Sequence, residues 1–259
     1  ALYFRWTFLI KNSGYVLPHK KNFQIFLSGF PLSITPGKVG ELLKCELLKE
    51  NFNIPRKITA PIILVERLYN GVGIVIISSL GIWYFDFSGT VILIASCALI
   101  GIFIALRSKS LFSSLINKTS KIKYLSKFSD SFSDSYEVIN HSIKPKIFII
   151  SSLLSAIYWI LESVAVYFVF KSFGIDFLEL YNVVLAYTSS IILGVASFVP
   201  GGIGVSEGTL ISLLSIQGLS LSTAITLTLF IRIFTLWYAV FVGFIALKFA
   251  GAFSMKSTN

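Results

Sequence analysis

The 259 residues are 55% apolar and 13% charged, with a mean hydropathy of +0.81, against roughly 25% charge in a soluble domain. That composition excludes a soluble globular chain. The excess of 22 Lys and Arg over 12 Asp and Glu, net +10, must sit in short segments outside the bilayer of a polytopic helical membrane protein.

Residues 1–10 are apolar apart from Arg5 and too short to cross about 30 Å of hydrocarbon at 1.5 Å per residue. They read as the end of a helix, with further spans expected upstream, and they lack the basic start and cleavage site of a secretory signal. Residues 23–48 form an apolar stretch interrupted near its middle by Pro36-Gly37. Residues 58–85 and 87–106 are each long enough to span, and helix is the default because an open sheet cannot satisfy its backbone in lipid. Trp83, Tyr84, Phe85 and Phe87 at the junction read as an interfacial aromatic belt.

The segment 107–146 carries eight basic and three acidic residues around a Ser-rich middle, so it is expected to be the one sizeable extramembrane loop, cytoplasmic by the positive-inside rule. A third span follows over 147–170. Residues 183–219 form a second apolar stretch, interrupted by Pro200-Gly201-Gly202, and a last span covers 221–249. Two cysteines and two histidines, Cys45, Cys97, His19 and His141, are too few and too scattered for a disulfide framework or an ordinarily spaced metal site. Neither a metal nor a cofactor is expected.

The two interrupted stretches resemble each other. Pro36-Gly37-Lys38-Val39-Gly40-Glu41 is followed by Arg67, and Pro200-Gly201-Gly202-Ile203-Gly204-Val205-Ser206-Glu207 by Arg232. The Pro-to-Arg spacings are 31 and 32, and in both copies a Gly lies four residues after the Pro. Three spans separate the copies, so they enter from opposite faces. The expectation is one membrane domain, 1–259, all-α, with two broken re-entrant helical hairpins in an inverted-topology repeat: repeat 1 over about 23–85 and repeat 2 over about 183–249.

A helix break frees backbone N–H groups that lipid cannot satisfy, so they must line a cavity or meet a polar ligand. Half-helices starting after Gly37 and after Gly204 would aim positive dipole ends at an anion such as phosphate. Arg67 lies about nine residues into its span and Arg232 near the middle of its own, where a charge costs on the order of 2.5–3.5 kcal/mol. Each either snorkels to an interface or pairs with the acid of its repeat. Glu41 and Glu207 either cap the second half-helix or gate the site by an Arg–carboxylate contact that a headgroup phosphate can replace. Glu162, about fifteen residues into the third long span, is either a neutral acid bonded to a neighbouring helix or a proton-coupling group. Lys38, between two glycines, is an interfacial lysine or a phosphate contact.

At Ile34-Thr35-Pro36-Gly37-Lys38-Val39-Gly40-Glu41, Val65-Glu66-Arg67, and Phe198 to Glu207 with Arg232, the chain resembles the flippase-like membrane domain shared by lysylphosphatidylglycerol synthases and many other bacterial and archaeal membrane proteins. The resemblance implies movement of lipid between leaflets. Together with the breaks and charges read above, the expected substrate site is Pro36, Gly37, Lys38, Gly40, Glu41, Glu66, Arg67, Glu162, Pro200, Gly201, Gly202, Gly204, Glu207 and Arg232, with no catalytic residue among them. Relatives often carry Asp where this chain has Asn70, so an ion pair for Arg67 is expected from Glu66 or Glu41. The expected partners are anionic or phosphate-bearing membrane lipids and no nucleic acid, with a homo-oligomer or a partner transferase possible, in the plasma membrane of a bacterium or archaeon. The rival readings are a membrane-embedded glycosyl or aminoacyl transferase and a non-transporting partner subunit.

Overall fold

The computed structural model of the protein describes residues 1–35, 41–80, 86–111 and 129–251. All regular structure among them is helical. Helix α1 covers Leu2–Asn12, α2 His19–Ser28, α3 Leu43–Phe52, α4 Arg56–Ser79, α5 Asp86–Arg107, α6 Ser129–Ser142, α7 Pro145–Ser172, α8 Leu180–Ala196, α9 Val205–Ile216, α10 Leu221–Arg232 and α11 Tyr238–Ala250. One-turn 3-10 helices interrupt the chain at Pro31–Ile34 and Pro200–Gly202, and a π-helical segment, Ile233–Trp237, joins α10 to α11.

Four stretches are long and apolar enough to cross a membrane: Arg56–Ser79, Gly89–Arg107, Pro145–Ser172 and Leu221–Ala250. These match the four expected spans, and their ends have local causes. Pro55 and Pro145 stand at or beside helix starts, where a missing N–H costs nothing. The Ser220 hydroxyl accepts from the Thr223 N–H at 3.2 Å to cap α10, and Gly251 closes α11 in the left-handed region. Residues 81–85, with Trp83, Tyr84 and Phe85 of the expected belt, lie outside the described residues.

Two expectations need correction. The polar segment 107–146 is not only loop, because α6 forms within it and packs against α4, burying Ile139. Tyr69 on α4 donates to the Ser142 carbonyl at 2.7 Å and fixes that contact. The first apolar stretch becomes helical at His19 rather than at Phe23, and helix α2 already ends at Ser28. Its second helix is described from Leu43, after a 3-10 turn at Glu41 and Leu42, and its expected start directly after Gly37 lies outside the described residues.

Helix α4 is the hub, packing on α7, α6, α5, α8, α3 and α1. One apolar core lies around α1, α2, α3 and the N-terminal half of α4, built on Trp6, Ile25, Leu47, Leu48 and Ile62; the other joins α7 to α10 through Trp159, Tyr187, Leu214 and Leu227. Outward faces are apolar too, as at Leu93, Ile94 and Ile104 on α5 and Phe241 and Phe244 on α11. That surface suits lipid, not water. Helix α11 packs on α2 and on the Pro31–Ile34 turn, while α4 packs on α8. The α11 approach depends on Gly243, where a Cβ would meet Pro31 at 2.3 Å and the Leu27 carbonyl at 2.9 Å.

Candidate functional site

The two interruptions meet. The Pro31–Ile34 turn touches the Pro200–Gly202 turn, and a Cβ on Gly201 would stand 3.5 Å from the Ile34 side chain. Pro36, Gly37, Lys38 and Gly40 lie outside the described residues. The second interruption is fully described. Gly201, Gly202 and Gly204 take φ values of 61, 65 and 85°, a region that costs an L side chain roughly 1–2 kcal/mol. The sequence Pro-Gly-Gly-Ile-Gly therefore folds as a tight turn, and helix α9 starts at Val205, directly after Gly204 as expected.

At the start of α9 one carboxylate serves two purposes. Glu207 Oε2 accepts the Gly204 backbone N–H at 2.7 Å, and its Oε1 accepts Arg232 Nε at 2.5 Å. The capping and pairing readings of Glu207 hold together. Arg232 also donates through Nη2 to the Gly201 carbonyl at 2.7 Å, so this mid-span arginine ties the end of α10 to both the turn and the acid. Its side chain is 8% exposed and that of Glu207 21%. The carboxylate covers the guanidinium.

Around the first interruption the charges are more numerous. Arg67 contacts Glu41, which identifies the partner left open between Glu41 and Glu66. Glu41 Oε2 is also 3.7 Å from Lys44 Nζ, one helical turn along. Lys44 lies 2.9 Å from Glu66 Oε2, and Glu66 Oε1 is 3.5 Å from Arg5 Nη2. Arg5 Nη1 donates to Asn70 Oδ1 at 2.8 Å and to Ser155 Oγ at 2.5 Å. Lys44 further sits 4.3 Å over the Trp6 ring, a favourable cation–π placement. Four helices, α1, α3, α4 and α7, and the turn before α3 thus converge on one chain of charges. Here the exposures are reversed: the Arg67 side chain is 25% exposed and that of Glu41 6%.

Glu162 accepts the Tyr187 hydroxyl at 2.7 Å, linking α7 to α8. The sequence reading passed over Arg5 and Lys44. Arg5 was visible as the one charge in an apolar decapeptide, and an ionisable residue in such a setting is a site candidate by default. Lys44 was visible three residues after Glu41, the spacing that faces two side chains on a helix. The 22-residue separation of Lys44 from Glu66 carries no such signal. Asn70 accepts from Arg5. Among the described residues no three His, Cys, Asp or Glu side chains gather as metal ligands.

A family model described as the lysylphosphatidylglycerol synthase TM region matches residues 1–243. A protein described as UPF0104 membrane protein, from Methanothermobacter thermautotrophicus, is 29% identical over 99 residues, which is 38% of this chain and 29% of that protein. The match thus spans less than a third of that relative's length. No solved structure matches the chain.

Proposed function

The chain belongs to the lysylphosphatidylglycerol synthase TM region family of membrane proteins, and we propose that it binds an anionic lipid or lipid-linked headgroup between its two interruptions and moves it from one leaflet to the other. One observation carries this reading: two arginine–carboxylate pairs, Glu41–Arg67 and Glu207–Arg232, formed at matching points of two interrupted stretches. A carboxylate and a phosphate oxygen accept the same guanidinium donors. A headgroup phosphate can therefore take the place of each glutamate in turn, so that neither arginine is left without an anionic acceptor in a water-poor interior.

On this reading residues 23–85 and 183–249 are inverted copies of one re-entrant unit, and the remaining glycines and prolines of the breaks, with Glu66 and Glu162, line the path. The reciprocal packing of α4 on α8 and of α11 on α2 supports that view, because an inverted repeat relates those two contacts. The same reading sets the protein in a plasma membrane with the basic 107–146 segment in the cytoplasm.

The test is a leaflet-resolved assay with the purified protein in liposomes containing tail-labelled phosphatidylglycerol. Movement without any aminoacyl or sugar donor supports the proposal. Movement or headgroup change that requires a donor points to the transferase, and no movement at all points to a partner subunit.

A further inference from the structure

The two paired arginines stand at matching points of helices that then continue differently. Arg67 is the twelfth residue of α4, which runs on as α-helix to Ser79, and Arg232 is the last of the 12 residues of α10. Directly after Arg232 the winding widens. Ile233–Trp237 is the one π-helical segment among the described residues, and a backbone N–H at its end returns to the Ile233 carbonyl. A π turn closes its hydrogen bonds one residue later than an α turn, and such turns inside α-helices are frequent at functional sites.

The segment lies where the chain passes from one core to the other. Ala224, Leu227 and Ile231 of α10 belong to the core shared with α7, α8 and α9, whereas Ala250 of α11 belongs to the core around α1, α2 and α3. Helix α11 is seated on α2 and on the Pro31–Ile34 turn. The segment itself has no buried residue: Ile233, Phe234 and Trp237 are 49 to 59% exposed, and its contacts run chiefly to the two helices it joins. A change of winding here therefore disturbs neither core. Two side chains hold the present winding. The Thr235 hydroxyl donates to the Ile231 carbonyl at 2.8 Å, and Arg232 is fixed by Glu207 and the Gly201 carbonyl.

We propose that Ile233–Trp237 is the switch that withdraws Arg232 from Glu207. When the extra residue of the wide turn passes from the C-terminal to the N-terminal side of Arg232, the arginine joins the register of α11. Its side chain then turns by about 100° and moves about 1.5 Å, the step of one residue in an α-helix, while α10 and α11 keep their seats in the two cores. The guanidinium leaves the Gly201 carbonyl and the carboxylate. Glu207 keeps its bond to the Gly204 N–H at 2.7 Å, so the start of α9 stays capped while the arginine is away. The sealed arginine is thus the one that has a switch; Arg67, with its side chain 25% exposed, is open to an anion without one. This deepens the lipid-transport reading and rests on it for the lipid that the freed arginine meets; the change of winding stands on the helix geometry alone.

Backbone hydrogen exchange of the purified wild-type protein in detergent, read by mass spectrometry, tests the switch without any variant. Amides that change partners open often, so those of 233–238 should exchange at least about tenfold faster than those of 68–73, the stretch that follows Arg67 in α4. Glu207→Gln loosens the seat of Arg232 and should speed exchange at 233–238 by about a further tenfold, the scale of one charge-assisted hydrogen bond, with 68–73 unchanged. Deletion of the outward-facing Phe234 removes the extra residue. Exchange at 233–238 should then fall to the level of α4, the unfolding temperature should stay at or above that of the wild type, and leaflet movement of tail-labelled phosphatidylglycerol should be lost. If the deletion does not fold, the wild-type and Glu207→Gln comparisons decide. Exchange at 233–238 as slow as at 68–73 in the wild type, exchange that Glu207→Gln leaves unchanged, or a folded deletion variant that moves lipid at the wild-type rate overturns the inference. Lipid movement by a wild type with slow exchange at 233–238 would remove the switch and leave the transport reading standing. Exchange that responds to Glu207→Gln and to the deletion as stated, with no lipid movement by the wild type, would do the reverse.

Discussion

In the first half of the chain the arginine of the pair is the exposed partner and its carboxylate is buried; in the second half the arginine is buried and the carboxylate covers it. The same two residue types at nearly the same spacing thus give one accessible guanidinium and one sealed one. The cause lies in the surroundings. Glu41 is drawn inward by Lys44, which is held in turn by Glu66 and Trp6. Glu207 is drawn instead to the open N–H at the start of α9, while Arg232 is pulled under it by the Gly201 carbonyl. An acid–arginine pair therefore has no fixed polarity of access; its second contacts decide which member an incoming anion meets.

The comparison predicts unequal costs of removing a charge. Glu66→Ala leaves Arg5 and Lys44 facing a single carboxylate and should destabilise the protein by about 3–5 kcal/mol, the range for breaking a buried ion pair. Thermal unfolding in detergent would register it as the largest loss among these variants. Arg232→Ala leaves Glu207 with its cap bond and partial exposure, so its cost should fall near the lower end of that range, about 3 kcal/mol, with loss of leaflet movement. A smaller loss for Glu66→Ala than for Arg232→Ala would contradict the picture of a buried, charge-rich first cluster.

Within the second turn the glycines should rank by space as well as by φ. A Cβ on Gly202 would lie 2.6 Å from Ser206 Oγ, whereas one on Gly204 would meet nothing within 4 Å. Gly202→Ala should cost about 1–3 kcal/mol through strain and crowding, and Gly204→Ala about 1 kcal/mol through the left-handed backbone alone. Reversal of that order would mean the turn does not keep its conformation. Smallest of all, Glu162→Gln should change stability by about 1 kcal/mol or less, because an amide oxygen still accepts the Tyr187 hydroxyl.

The four long spans and both acid–arginine pairs were legible in the sequence, because a span writes itself as about twenty apolar residues and the pairs recur at a constant offset from a Pro-Gly break. The contacts of Arg5 with Ser155 and of Lys44 with Glu66 were not assigned, since these partners lie 150 and 22 positions away and single residues at such distances leave no periodic trace. Helix α6 was hidden by its serines, which read as loop; its helical state comes with the seat it finds on α4. The first interruption was placed at Pro36 although Pro31 already starts a 3-10 turn. Two prolines five residues apart do not say which ends the helix.

The exchange of a headgroup phosphate for a glutamate on each arginine is the central claim, and the charge swap Glu207→Arg with Arg232→Glu tests it most directly. Unfolding and leaflet movement of phosphatidylglycerol would be measured on the swapped protein beside Arg232→Ala. The charges still meet in the swap, so part of the stability lost in Arg232→Ala should return, short of the wild type because a glutamate cannot donate to the Gly201 carbonyl. Lipid movement should stay absent, since the phosphate now meets a carboxylate where it needs a guanidinium. Wild-type movement in the swapped protein would contradict the exchange outright.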